Sequence, residues 1–207
     1  VRGLYAAKPW FTRQLNRIVT AAVARGWSPD SFTVAGILFA AVAAVGLIVG
    51  LWPIVLVGLV GRMAGANLDG AVARARGVSR PVGFVLNEIG DRVSDLLPLA
   101  ALAYLAFHSG SLVALALGLI ALTAASWPTF ISLAIAGAGG RRINGGPFGK
   151  TERALVVLVA AVALTYLPAA ITPSVTLSIT SLVIIAGSIL TAITRAVVGS
   201  CALRRAE

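Results

Sequence analysis

The sequence predicts an all-α integral membrane protein, a bundle of six transmembrane helices preceded by an amphipathic helix at the membrane interface. Three observations predict it. Hydrophobic residues form 58% of the chain and charged ones 12%, whereas soluble domains carry about 25% charged residues. The apolar residues gather in six stretches, near 32–50, 53–73, 84–107, 111–136, 153–170 and 175–197, most of them near the roughly 20 residues that cross a bilayer as a helix. Lysine and arginine, 17 against 7 acidic residues, fall mostly in four polar segments, and six crossings put all four on one side, as cytoplasmic segments require.

Residues 1–30 form the interfacial arm. Lys8, Arg13, Arg17 and Arg25 interleave with Trp10, Phe11, Leu15, Ile18 and Val23. That pattern puts apolar groups on one helix face and excludes a signal peptide, whose apolar core is continuous. Gly26 ends this helix, and Ser28-Pro29-Asp30 turns the chain into the first span. Residues 31–207 then form one six-helix domain. Pro53, Pro81, Pro147 and Pro173 stand at or near breaks between the spans. The connections near Pro53, at His108 to Gly110 and at residues 168–174 lack Lys and Arg. The arm, the Arg74–Arg80 segment, the Arg141–Arg153 loop and the Arg204-Arg205 tail carry most of the basic residues. Both termini are therefore expected in the cytoplasm, with the protein multi-pass in the inner membrane. The net charge of +10 is read as membrane topology, not nucleic-acid binding. Cys201 is the only cysteine, which excludes a disulfide framework and a thiolate metal site.

The second and third spans hold charges. Arg62, Asp69, Arg74, Glu88, Asp91, Arg92 and Asp95 lie within them or at their ends, and an ionised group at a helix centre costs about 2.5–3.5 kcal/mol on insertion scales. Gly83, Asn87, Asp91 and Asp95 recur at steps of four along one face. Gly70 and Ala73, beside Asp69 and Arg74, allow close approach of a backbone or ligand. Two such faces opposed would gather carboxylates around a polar pocket. Oxygen donors without imidazole suit Mg²⁺ or Mn²⁺, and nearby guanidiniums suit an anionic phosphate. Arg62 also reads as a member of a buried ion pair.

The stretch Asn67-Leu68-Asp69-Gly70-Ala71-Val72-Ala73-Arg74, followed by Gly83-Phe84-Val85-Leu86-Asn87-Glu88-Ile89-Gly90-Asp91, resembles the signature D-x-x-D-G-x-x-A-R … G-x-x-x-D-x-x-x-D of the CDP-alcohol phosphotransferases. Ser28-Pro29-Asp30-Ser31-Phe32-Thr33 is similar to that family's Pro-Asn-x-x-Thr stretch, with Asp30 in place of Asn. Two positions depart: the first signature aspartate falls on Ala66 and the third on Asn87. Leu4-Tyr5-Ala6-Ala7-Lys8-Pro9-Trp10-Phe11 and Leu86-Asn87-Glu88-Ile89-Gly90-Asp91 resemble a bacterial subgroup with Asn at the third position.

The resemblance implies a transferase that moves a phosphatidyl or other phosphate-bearing group from a CDP-linked donor, CDP-diacylglycerol foremost, to an alcohol or phosphorylated alcohol, releasing CMP. It implies one or two Mg²⁺ or Mn²⁺ ions held by Asp69 and Asp91 with Asn87 and Glu88, and Asn67 and Asp95 as further local donors. Asp91 is then the catalytic base and Asp95 the alternative. Gly70, Ala73, Arg74 and Gly83 lie against the nucleotide, Thr33 lies near its phosphates, and Arg142, Lys150 and Arg153 grip a phosphate on the acceptor. A homodimer among membrane lipids fits the family's habit. The run Gly145 to Thr151 is not a phosphate-binding P-loop, because no strand precedes it and the glycine-to-lysine spacing is wrong. Two other functions compete. Ala66 and Asn87 would suit a degenerate member that binds nucleotide or lipid without turnover. Intramembrane acids also suit an ion transporter, although no paired halves of the inverted-repeat kind are present.

Overall fold

The computed structural model describes residues 8–166 and 172–205. Leu4 to Ala7 of the opening segment and residues 167–171, at the end of the fifth predicted span, lie outside the described residues. Among those described, the regular structure is helical: α1 (Lys8–Gln14), α2 (Asn16–Ala24), α3 (Pro29–Ile48), α4 (Trp52–Ala75), α5 (Pro81–His108), α6 (Leu112–Ala124), α7 (Trp127–Gly137), α8 (Lys150–Tyr166) and α9 (Pro173–Arg204). Four prolines sit where their missing N–H has no helical partner in any case, whereas Pro98 lies inside α5. Pro29, Pro53 and Pro173 occupy first-turn positions of α3, α4 and α9, and Pro81 opens α5. Gly26, Gly50, Gly77 and Gly110 end helices at positive φ, a conformation open to glycine at no steric cost.

Four helical segments are long and apolar enough to cross a membrane: Pro29–Ile48, Trp52–Ala75, Leu112–Gly137 and Pro173–Arg204. The third comprises α6 and α7, broken at Ala125 and Ser126 just before Pro128. α5 is 28 residues long, but Asp91, Arg92 and Asp95 interrupt its apolar run. α8 is described over 17 residues.

The helices fall into two compact units, Ala7–Leu102 and Ala103–Glu207. In the first, α3 and α4 pack along much of their length, because glycine removes the side chains between them. A Cβ on Gly65 would stand 2.7 Å from the Phe32 carbonyl oxygen and 2.8 Å from Gly36 Cα. A Cβ on Gly58 would stand 2.5 Å from the Ala43 nitrogen. Gly90 likewise admits α5 against the Thr33 side chain. α1 and α2 lay Phe11, Leu15, Val19 and Ala22 against Phe32, Ala64, Leu68 and Val72. The apolar face of the arm thus covers α4 at the level of Asp69.

In the second unit α9 is the axis on which α6, α7 and α8 pack. Arg195, largely buried within α9, donates from Nε to the Gly145 carbonyl at 2.9 Å, from Nη1 to Pro128 at 2.7 Å and from Nη2 to Asn144 at 3.0 Å. Ser132 Oγ donates to the Ile143 carbonyl and accepts from its N–H. Thr191 Oγ1 does the same with Phe148. The loop before α8 therefore owes its shape to side chains of α7 and α9, as its Gly- and Pro-rich sequence requires.

Candidate active site

The first unit contains a cavity of about 590 Å³ walled by the start of α3, the C-terminal half of α4 and the start of α5. Thr33, Asp69, Gly70, Ala73, Arg74, Gly83 and Asn87 line it. Their side chains meet because each helix presents one face. On α4, Asp69, Ala73 and Arg74 lie within about a turn and a half; on α5, Gly83 and Asn87 are one turn apart. α5 is polar inward and apolar outward: Glu88, Asp91, Ser94 and Asp95 are buried, while Leu86, Ile89 and Val93 are exposed. A helix in water would show the opposite arrangement.

Asp69 is 5% exposed. Its Oδ2 accepts from Thr33 Oγ1 at 3.1 Å, and its Oδ1 lies 2.5 Å from the Gly70 nitrogen. Thr33 thus ties α3 to α4, while Ser28 caps α3 by accepting from the Asp30 N–H. A side chain on Gly70 would meet Arg74 Nη1 at 3.0 Å, so glycine leaves that place to the guanidinium. Asp30 and Arg80 pair at the cavity wall. Arg76 donates through Nη1 to the Gly26 and Trp27 carbonyls at 3.1 and 2.6 Å. Three guanidiniums and two carboxylates therefore line the cavity, and the excess of positive charge suits a diphosphate.

The remaining candidates stand elsewhere. Asp91 and Glu88, each 9% exposed, are buried on adjoining turns of α5. Asp95 accepts from Arg62 Nη2 at 2.5 Å and from Arg92 Nη2 at 2.9 Å. Both its oxygens are engaged by guanidiniums. Asn67 donates back to the Met63 carbonyl at 2.7 Å. Arg142, Lys150 and Arg153 belong to the second unit. Arg153 is buried, and Arg142 and Lys150 are half-buried. Glu152 caps α8 by accepting from the Gly149 N–H at 2.9 Å. Residue-by-residue reading missed Arg195 and the Asp30–Arg80 pair. A lone arginine within the last apolar span was the available signal for the former.

Asp69 and Asn87 offer hard oxygen donors in one cavity, a set that fits a divalent ion of the Mg²⁺ or Mn²⁺ kind. Such ions are held by one or two carboxylates and complete their shell with water and substrate phosphate. An all-protein cage does not fit, since no group of three His, Cys, Asp or Glu among the described residues could hold a metal.

The fold and cavity together define a helical membrane protein with a cavity suited to a phosphate-bearing ligand beside the buried Asp69. No protein-family profile matches the chain, but individual relatives do. Phosphatidylinositol phosphate synthase of Mycobacteroides abscessus is 33% identical over 162 residues, covering 73% of this chain and 70% of that protein. The inner membrane protein YnbA of Escherichia coli is 38% identical over 95 residues, 46% of this chain and 45% of that one. Among solved structures, Mycobacterium tuberculosis phosphatidylinositol phosphate synthase (PgsA1) with CDP-DAG bound matches with a TM-score of 0.68 at 26% identity, over 88% of this chain and 92% of that chain. The same enzyme in complex with manganese and citrate matches with a TM-score of 0.67 at 26% identity, over 86% and 85%. The chain belongs to the CDP-alcohol phosphotransferase family.

Proposed function

We propose that this protein transfers a phosphatidyl group from CDP-diacylglycerol, or a related CDP-linked lipid, to the hydroxyl of an alcohol or phosphorylated alcohol. The acceptor oxygen bonds to the lipid-bearing phosphorus, the bond from that phosphorus to the bridging oxygen breaks, and CMP leaves. The observation that carries this reading is the single cavity shared by Thr33, Asp69, Gly70, Ala73, Arg74, Gly83 and Asn87. The relatives support it: one is a phosphatidylinositol phosphate synthase by name, and its counterpart in M. tuberculosis was solved with CDP-DAG.

Gly70, Ala73 and Gly83 leave space for the nucleotide, and Thr33 and Arg74 hold its phosphates. Asp91 takes the proton from the attacking hydroxyl, work that general bases perform for a gain of about 10²–10⁴-fold. Asp69 and Asn87, with Asp91 or Glu88, would hold one divalent ion, and water and substrate phosphate would complete its shell. When bound, that ion supplies Lewis-acid neutralisation of the leaving diphosphate, and a relative solved with manganese supports its presence. Arg142, Lys150 and Arg153 orient an acceptor phosphate. Six spans, with the basic segments and both termini in the cytoplasm, place the donor's headgroup and a water-soluble acceptor on the same side. The charge distribution along the chain supports this topology.

Purified protein given CDP-diacylglycerol, Mg²⁺ or Mn²⁺ and a panel of alcohols, inositol phosphate and glycerol phosphate included, is expected to release CMP with at least one acceptor. Ala66, which offers no ligand where the signature has aspartate, favours a second reading, binding without turnover. Under that reading no acceptor supports CMP release, and Ala66→Asp with Asn87→Asp creates it. If neither protein releases CMP under conditions in which a four-aspartate relative does, the transferase reading fails.

A further inference from the structure

We propose that Arg62 and Asp95 are positioning residues: their buried ion pair sets the register of α4 against α5 and so determines where Asp91 stands. The proposal rests on the transferase reading, in which Asp91 is the base. The side chains of Arg62 and Asp95 are 5% and 4% exposed and meet at 2.5 Å, and Arg92 Nη2 holds the other Asp95 oxygen at 2.9 Å. Both carboxylate oxygens of Asp95 are thus held by guanidiniums. Asp95 is thereby left to position α5 against α4.

Two charges in an apolar bundle are tolerated as a pair and costly apart. A slip of one helix by a turn, about 5.4 Å, would part Arg62 from Asp95 and bury both alone. The pair consequently selects one register. α4 and α5 are joined by residues 76–80 and meet at the Arg62–Asp95 pair, so they run antiparallel. One turn along α4 from Arg62 and one turn back along α5 from Asp95 bring Ala66 level with Asp91. A further turn brings Gly70 level with Asn87, and both of these line the cavity. Arg62 lies outside the family's signature, yet two turns of α4 carry its constraint to Asp69.

The test compares wild type with Arg62→Lys, Asp95→Asn, and the double variant Arg62→Met with Asp95→Leu, which replaces the pair by apolar chains of similar size. Two quantities are measured: CMP release against pH with the acceptor that supports turnover, and Mn²⁺ binding without substrate by electron paramagnetic resonance. The double variant is expected to melt no lower than wild type, yet to lose about 10²-fold in kcat, as slight misplacement does. Its donor KM should stay within roughly threefold of wild type, and Asp95→Asn should keep the wild-type pH profile at lower amplitude. Arg62→Lys should recover most of kcat. A double variant with wild-type kcat overturns the proposal. So does an Asp95→Asn profile that has lost its acidic limb, which would make Asp95 the base. Failure of both Asp95→Asn and the double variant to fold also overturns it, leaving the pair a stability element. If wild type itself releases no CMP, the transferase reading fails separately. Mn²⁺ affinity then decides: a drop of roughly fivefold or more in the double variant upholds the positioning role, and unchanged affinity overturns it.

Discussion

Asp69, Asp91 and Asp95 are three carboxylates in one pair of helices, and their surroundings give them different work. Asp69 accepts from Thr33 and lines the cavity. Asp95 is held by two arginines. Asp91 is buried on α5 between these levels and is the one assigned proton transfer. Asp91→Asn preserves shape and removes the base. The expected outcome is a fall in kcat of about 10²–10⁴-fold with donor KM little changed, read by CMP release. Much of this was legible in the residues, because Asp69, Gly70, Ala73 and Arg74 sit on one helix and Gly83, Asn87 and Asp91 on the next, and helical rise fixes their relative heights. The Asp30–Arg80 pair was not legible, because its members are 50 positions apart and belong to different elements.

At the scale of elements, glycine decides which helices touch. Gly65→Val should lower stability by about 1–3 kcal/mol through overpacking, since its added atoms meet the backbone of α3. Gly137→Ala is the control: nothing lies within 4 Å of its would-be Cβ, and a helical glycine replaced by alanine gains about 0.5–1 kcal/mol. Thermal melts in detergent check both. The loop before α8 makes a second case. Arg195 supplies three donors to its neighbouring carbonyls, and hydrogen bonds from a charged group are worth about 1.5–3 kcal/mol each. Arg195→Met should therefore loosen the loop and speed tryptic cleavage after Arg141 or Arg142 roughly tenfold or more, with acceptor KM raised more than donor KM. The Gly-Gly-Pro run announced a loop; it held no information on which carbonyls would face a distant arginine.

At the scale of the whole molecule, the proposal that matters is sidedness. Cys201 is free and exposed near the end of α9, so a membrane-impermeant maleimide should label it in inverted vesicles and not in intact cells. A cysteine introduced at Ser109 in a Cys201→Ser background should behave oppositely. Labelling of both positions from one side would refute the six-span topology.

The amino-acid order by itself determined the membrane class and most helical boundaries to within a few residues. α9, however, runs seven residues past the expected end, the fourth stretch breaks into α6 and α7, and the arm forms two helices. Class and boundaries depend on composition or on spacing within one helix, where geometry is local and nearly invariant. Tertiary structure alone decided that Asp95 pairs with Arg62, that Arg80 meets Asp30, that Ser28 caps α3, and that Arg195 anchors a loop 50 residues away. Those outcomes depend on which faces of separate elements meet, and packing sets that only once the chain is assembled.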